Sequence, residues 1–330
     1  MKIAITLGDP AGIGPELILK AIPRFKNLKE IAIYGSKAML KNTARDLHLL
    51  GNYQMIEDNI VDCVKSIKFE YGKPTKRTGE VAIGSINQAL EGNPDILITL
   101  PIVKDVIRYI MPDFVGHTEY LAKFFQIRHY GMLGILGAKR ILLLTTHMPL
   151  HNVRRRITPR EVLKKILLLE WGLKKYFRLK NPTIGVSAFN PHAFEFSYGE
   201  DERIGIGIKM AQKIGIKAEG PYPADSLFNR KFDGFLAMFH DQAFVYLKSK
   251  KDGLNFTLGL PIIRLSPLYG AALDIAGKNN AASSGMIVAL REGVRIYNNS
   301  LPVKYRIVDG YNLKEYNKKI KRRKNEKFKY

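Results

Sequence analysis

Short unbroken apolar runs alternate along this chain with helix-length stretches of mixed polarity. The runs are KIAITL (2–7), EIAIYG (30–35), DILITL (95–100), RILLLTT (140–146), TIGVSAF (183–189) and GFLAMF (234–239). Continuous apolar positions, rather than every second one, mark strands buried on both faces, and the long segments between them supply the crossovers that parallel strands need. The pattern predicts an α/β fold with parallel strands, a helix from about Pro15 and another through the forties. No fixed-period repeat and no Pro/Gly/Ser-rich linker divides the sequence. With 330 residues the expectation is two domains, interleaved along the chain.

Ligands of open α/β sheets bind beyond the carboxyl ends of strands, so the residues after each run carry the candidate chemistry. Gly8-Asp9-Pro10 follows the first run and Pro101 and Lys104 the third; His147, Pro191-His192 and His240-Asp241-Gln242 follow the last three. Brought to one sheet edge, His147, His192 and His240 would make a divalent-metal site with positions open to water or substrate. Taken singly, each also reads as a hydrogen-bonded loop or core histidine. His151 stands four residues after His147, but Pro149 argues against one helix carrying both. The glycines at 8, 12 and 14 depart from the G-x-G-x-x-G spacing of a dinucleotide fingerprint, and Pro15 suits a first helical position. This is a different loop.

Composition narrows the classes. The single cysteine, Cys63, excludes an internal disulfide and a multi-cysteine zinc site, leaving His, Asp and Glu as metal donors. No apolar stretch reaches the eighteen or so residues of a membrane span, and IAITL runs directly into Gly-Asp-Pro rather than a cleavage region, so a cytoplasmic protein is expected. Lys and Arg number 53 against 30 Asp and Glu, a formal charge of +23. The densest basic runs are KEYNKKIKRRKNEKFKY (314–330) and HNVRRRITPR (151–160). The tail reads as a solvated helix end, with a nucleic-acid partner as the non-enzymatic alternative.

Taken in order, GDPAGIGPE (8–16), LPIVK (100–104), GHTEYLA (116–122), THMPL (146–150), NPHA (190–193), GPYPADSLF (220–228), MFHDQ (238–242) and NFTLGLPIIR (255–264) resemble the 4-hydroxythreonine-4-phosphate dehydrogenase family of vitamin B6 biosynthesis. The likeness runs from residue 3 to about 290. It implies an isocitrate/isopropylmalate dehydrogenase-like fold: two α/β/α domains with a cleft between them, residues 1–128 plus 265–330 and residues 129–264. It also implies a homodimer whose active site is shared between subunits. By motif, His147, His192 and His240 bind a divalent ion such as Zn, Mg or Co, and His117, Thr118, Lys248, Asn255 and Arg264 contact substrate. The implied reaction oxidises 4-phosphohydroxy-L-threonine with NAD or NADP and then releases carbon dioxide, giving 3-amino-2-oxopropyl phosphate. Asp241, Lys104 and a metal-bound water stand as candidate proton acceptors.

Two segments depart from the family pattern. NPHA is commonly followed by Gly-Glu-Gly-Gly, whereas here Phe194 and Phe196 occupy that stretch. After Arg264 the family usually has Ser-x-Asp-His-Gly-Thr-Ala; this chain reads Ser266-Pro267-Leu268-Tyr269-Gly270-Ala271-Ala272. An acid, an imidazole and a hydroxyl are lost together. The second segment favours an alternative substrate within the family, another phosphorylated four-carbon hydroxy acid such as threonate or erythronate phosphate.

Overall fold

The six apolar runs fold as strands, and a computed structural model describing residues 1–25, 27–249 and 252–300 shows how they are assembled. They are β1 (Ile3–Thr6), β2 (Ile31–Gly35), β4 (Ile96–Thr99), β6 (Lys139–Leu143), β7 (Thr183–Ser187) and β9 (Gly234–Ala237). Five more join them: β3 (Ile60–Asp62), β5 (Gly131–Leu136), β8 (Lys217–Tyr222), β10 (Leu254–Leu258) and β11 (Ile263–Pro267). All lie in one sheet of order β3-β2-β1-β4-β11-β10-β5-β6-β9-β7-β8.

The sheet is parallel only in its two outer blocks. From β3 to β11 every neighbour is parallel, as is every neighbour from β6 to β8, but β11/β10, β10/β5 and β5/β6 are antiparallel. Three reversals turn the second block against the first. The expected parallel strands make up the two outer blocks, and the centre of the sheet departs from them. The reason is local for β5 and β6, whose ends Leu136 and Lys139 pair across a two-residue turn. Gly137 there has φ +55°, the left-handed conformation that tight hairpins require.

Alternate side chains explain the layering, because neighbours on a strand point to opposite faces. Ile3 and Ile5 share a cluster with Leu17 and Leu290, while Ala4 and Leu97 belong to another with Ile83, Ile86 and Leu121. In the second block Leu142 and Leu236 join the first cluster, whereas Ile141, Leu143, Phe235 and Ala237 pack with Ala243, Phe244 and Leu247. Helices therefore cover both faces of both blocks. Their starts follow local rules. Pro15 sits in the first turn of Gly14–Ala21; Ser36 and Thr158 cap Lys37–Asp46 and Pro159–Phe177 by accepting from Met39 and Glu161 N–H; Thr75 and Thr78 close a reciprocal capping box on Lys76–Glu91.

The opening loop is a buried packing element. Gly8, at φ +72°, leaves no room for a side chain, since a Cβ there would stand 2.6 Å from the Pro101 carbonyl. A Cβ on Gly12 would stand 2.8 Å from the Ala271 carbonyl, which also accepts from Ile13 N–H at 3.0 Å. The Asp9 carboxylate accepts from Ala11 N–H and Thr78 Oγ1. Burial pushes the Asp9 carboxyl up, against these two hydrogen bonds. The glycines fasten together the loops after β4 and β11.

Candidate functional site

The central antiparallel strands have one apolar and one polar face. Leu133, Ile135, Leu254, Phe256 and Leu265 join the main core. The intervening positions are different. Asn255 pairs in register with Gly134 and Ser266, and Thr257 with Met132, so these residues and Arg264 share the opposite face. Above that face lies a cavity of about 300 Å³, lined by Met132, Asn255, Arg264 and Ser266 from the strands and by residues of the surrounding loops.

Arg264 forms its floor. The side chain is 1% exposed, yet its hydrogen bonds reach only hydroxyls: Nε and Nη2 donate to Thr99 Oγ1, and Nη1 donates to Thr257 Oγ1 at 3.2 Å. Thr257 is in turn paired with Thr118 Oγ1 at 3.3 Å. Burial pushes the guanidinium down to about 9, opposed in part by the charge of Glu119. Beside it, His117 opens the helix His117–Phe124. Burial, then the positive charges of Arg264 and Lys104, hold its imidazole well below the usual histidine range, so it is neutral at pH 7. His117 Nε2 and Asn255 Oδ1 are buried without a hydrogen-bond partner. A buried cation hydrogen-bonded only to hydroxyls, beside the unpartnered His117 Nε2 and Asn255 Oδ1, makes a floor suited to an anionic group.

Across the cavity stand His147 and His240. Leu144 N–H donates to Ala237 O at 2.8 Å and Thr145 Oγ1 to Met238 O at 2.7 Å, fastening the exits of β6 and β9 and setting the two rings 6.1 Å apart. His147 Nδ1 meets Glu119 Oε1 at 3.2 Å, and His240 Nδ1 meets Asp241 Oδ1 at 2.7 Å. Such carboxylates hold the ring proton on Nδ1 and leave Nε2 free to coordinate. Burial works to raise the Glu119 carboxyl, but the His147 contact and the charge of Lys104 hold it below the usual range. Phe244 stacks on His240 at 4.2 Å, one turn further along the helix His240–Lys248.

Of the residues singled out from the sequence, Lys104, His117, Thr118, His147, His240, Lys248, Asn255 and Arg264 line this one cavity. Two do not. Asp241 is 79% exposed on the far side of His240. His192 is 67% exposed, with Nδ1 held by Glu195 Oε2 at 3.1 Å. Among the described residues of one chain, no three His, Cys, Asp or Glu side chains gather closely enough to hold a metal. Instead of gathering at one sheet edge, the three histidines leave their strands with only two brought together, and the cavity lies over the sheet face. Glu119, Thr99, Thr257 and Phe244 escaped the sequence reading. Glu119 was within reach, as it belongs to GHTEYLA, whereas the roles of Thr99 and Thr257 depend on strand pairing.

The altered segments are also placed. Leu268, Tyr269 and Gly270 form part of the cavity wall, and Tyr269 Oη accepts from Gly285 N–H at 2.9 Å. Only glycine leaves this ring room, because a Cβ on Gly285 would stand 2.4 Å from the hydroxyl. None of the helices among the described residues is long and apolar enough to cross a membrane. The basic tail, 314–330, lies outside the described residues.

Sheet and cavity together define an α/β protein of the dehydrogenase-like class, with an anion-seeking floor opposite a carboxylate-held histidine pair. Residues 27–292 match the family model described as pyridoxal phosphate biosynthetic protein PdxA. A relative from Sulfurihydrogenibium sp. (strain YO3AOP1), named 4-hydroxythreonine-4-phosphate dehydrogenase, is 36% identical over 88% of this chain and 96% of its own. One of the same name from Aquifex aeolicus is 37% identical over the same shares. The solved 4-hydroxythreonine-4-phosphate dehydrogenase of Klebsiella pneumoniae superposes with a TM-score of 0.74 at 26% identity, covering 90% of this chain and 99% of its own. The chain belongs to the PdxA family.

Proposed function

We propose that this protein is a metal-dependent 4-hydroxythreonine-4-phosphate dehydrogenase of pyridoxal phosphate biosynthesis, acting with NAD or NADP in the cytoplasm. The observation that carries the reading is Arg264: a buried guanidinium held by two threonines, without a carboxylate, at the floor of a cavity that also holds His147 and His240. A substrate bearing phosphate and carboxylate supplies the missing charge. Arg264 donates to one anionic group through its planar fork, and Lys248 supplies a point charge. Neutral His117 and the Asn255 amide complete the polar contacts.

The donor chemistry suits a divalent ion, since His147 and His240 both have Nδ1 engaged by a carboxylate and Nε2 left for coordination. His192 carries the same kind of carboxylate contact and would serve as third donor from a second copy of the chain. The ion, Zn, Mg or Co, supplies Lewis acidity that lowers the alcohol pKa, and the nicotinamide supplies the hydride acceptor. The chain's own residues orient the hydroxy acid and take up its proton. Of the candidate acceptors, Lys104 lies on the cavity wall, whereas exposed Asp241 instead orients His240. Residues 1–128 plus 265–330 and 129–264 are read as the two domains flanking the cleft. Supporting this, the first parallel block ends the sheet on one side and the second on the other, with the antiparallel strands between.

A second reading rests on Leu268 and Tyr269. They wall the cavity where the family pattern has an acid and an imidazole, which favours threonate or erythronate phosphate as substrate. One assay decides. Metal-stripped protein, with Zn, Mg or Co added back, is given 4-phosphohydroxy-L-threonine or the sugar-acid phosphates, and NADH or NADPH formation is followed. Turnover of the amino acid that depends on metal supports the first reading. Turnover of the sugar acids alone moves the protein to the second, and no metal-dependent turnover overturns both.

A further inference from the structure

The segment after β7 presents large side chains at every second position. His192, Phe194, Phe196 and Tyr198 are all more than half exposed, Tyr198 by 82%. Clustered exposed aromatics of this kind mark a docking surface. The segment is also held in shape. His192 and Ala193 are both left-handed, at φ +56° and +58°, a conformation that persists only where neighbours enforce it. Asp201 accepts from Phe189 N–H and Asn190 Nδ2, Glu200 accepts from Tyr198 N–H, and Arg154 pairs with Glu200. The Phe196 ring meets His192 edge-on at 5.8 Å.

Exposed aliphatic side chains stand close to cavity residues along the chain. Val245 follows the cavity residue Phe244 and is 74% exposed; Val115 precedes Gly116; Leu150 lies three residues beyond His147 and is 60% exposed. One surface offers a carboxylate-held imidazole among aromatics, and the other an incomplete pair of imidazoles among aliphatics. A two-fold pairing joins each surface to its complement twice, making two equivalent composite sites.

We infer that Phe194 and Phe196 of one copy enter the mouth of the other copy's cavity beside His192, and there form an aromatic wall that sets substrate specificity and excludes water. This rests on the shared-site reading above and adds residues specific to this chain, since these are the positions where the family pattern has small residues. The wall narrows the mouth around a compact four-carbon phosphorylated hydroxy acid. Its removal weakens substrate binding in the cavity of the opposite copy.

The test separates this inference from the reading beneath it. His192→Ala and His240→Ala chains are co-expressed with different affinity tags and purified through both. Each mixed dimer has one complete site, so about half the wild-type activity is expected. Failure to co-purify, or an inactive mixed dimer, overturns the shared site itself. Phe194→Gly with Phe196→Gly is then placed on one chain at a time, and turnover of 4-phosphohydroxy-L-threonine is measured with NAD or NADP. On the His240→Ala chain, whose loop faces the complete cavity, the pair raises KM at least fivefold. On the His192→Ala chain, the substituted loop faces the dead cavity and KM stays unchanged. An effect that follows the cavity's own chain, or no effect in either arrangement, overturns the aromatic wall. In metal-free protein, sedimentation equilibrium of Phe194→Ser/Phe196→Ser shows a dimer dissociation constant raised at least tenfold; an unchanged constant overturns the docking role.

Discussion

Arg264→Met should stabilise the protein while impairing its binding of anions. Methionine is flexible, apolar and close to arginine in volume, and the position is buried, so the chief change is removal of an uncompensated charge. The fall of the guanidinium from its ordinary value to about 9 corresponds to roughly 5 kcal/mol of burial penalty, an upper bound that relaxation reduces. Against it stand the hydrogen bonds to Thr99 and Thr257, worth about 1 kcal/mol each. The expected net gain is roughly 2 kcal/mol. For a chain of this size that raises Tm by about 3 °C. Inorganic phosphate at ten times its Kd should stabilise the wild type by about 1.4 kcal/mol, or about 2 °C, and the variant not at all. Loss of the anion contact should raise KM at least about 30-fold. Calorimetry with and without phosphate reads both effects. A variant that melts below the wild type, or that phosphate still stabilises, refutes the assignment of Arg264 as a charge awaiting its anion.

Three further outcomes are expected. Glu119→Gln weakens the carboxylate hold on His147 and lowers cobalt affinity by about 10- to 100-fold, measured by titration calorimetry; unchanged affinity would show that Glu119 does not orient the ring. Because His117 is held neutral in the folded state but protonates when unfolded, its contribution makes stability fall as pH drops below about 6.5, by up to about 1.4 kcal/mol per pH unit. His117→Gln should flatten that slope in urea melts across pH 5 to 7. Gly12→Ala forces a Cβ to 2.8 Å from the Ala271 carbonyl and should cost about 1–3 kcal/mol of stability. It should also lower kcat/KM, because residues 266–270, which lead into Ala271, wall the cavity; normal melting and kinetics would show that the loop yields freely.

By itself the sequence determined the α/β class, six of the strands and eight of the residues that line the cavity. Strand burial and helix starts are written locally, in unbroken apolar runs and in caps such as Ser36 and Thr158. The motifs carried the family. Tertiary structure decided what depends on pairing between distant segments. No local signal tells that β10 and β5 reverse the sheet between two parallel blocks, or that Thr99 and Thr257, 158 positions apart in the chain, meet on one guanidinium. The histidines show the same limit. Their equal standing after three strands suggested one cluster, but the exits of β6 and β9 are fastened together while the segment carrying His192 turns outward. Chain position is linear, whereas a ligand set is a matter of which strand ends are neighbours and which way their loops leave the sheet.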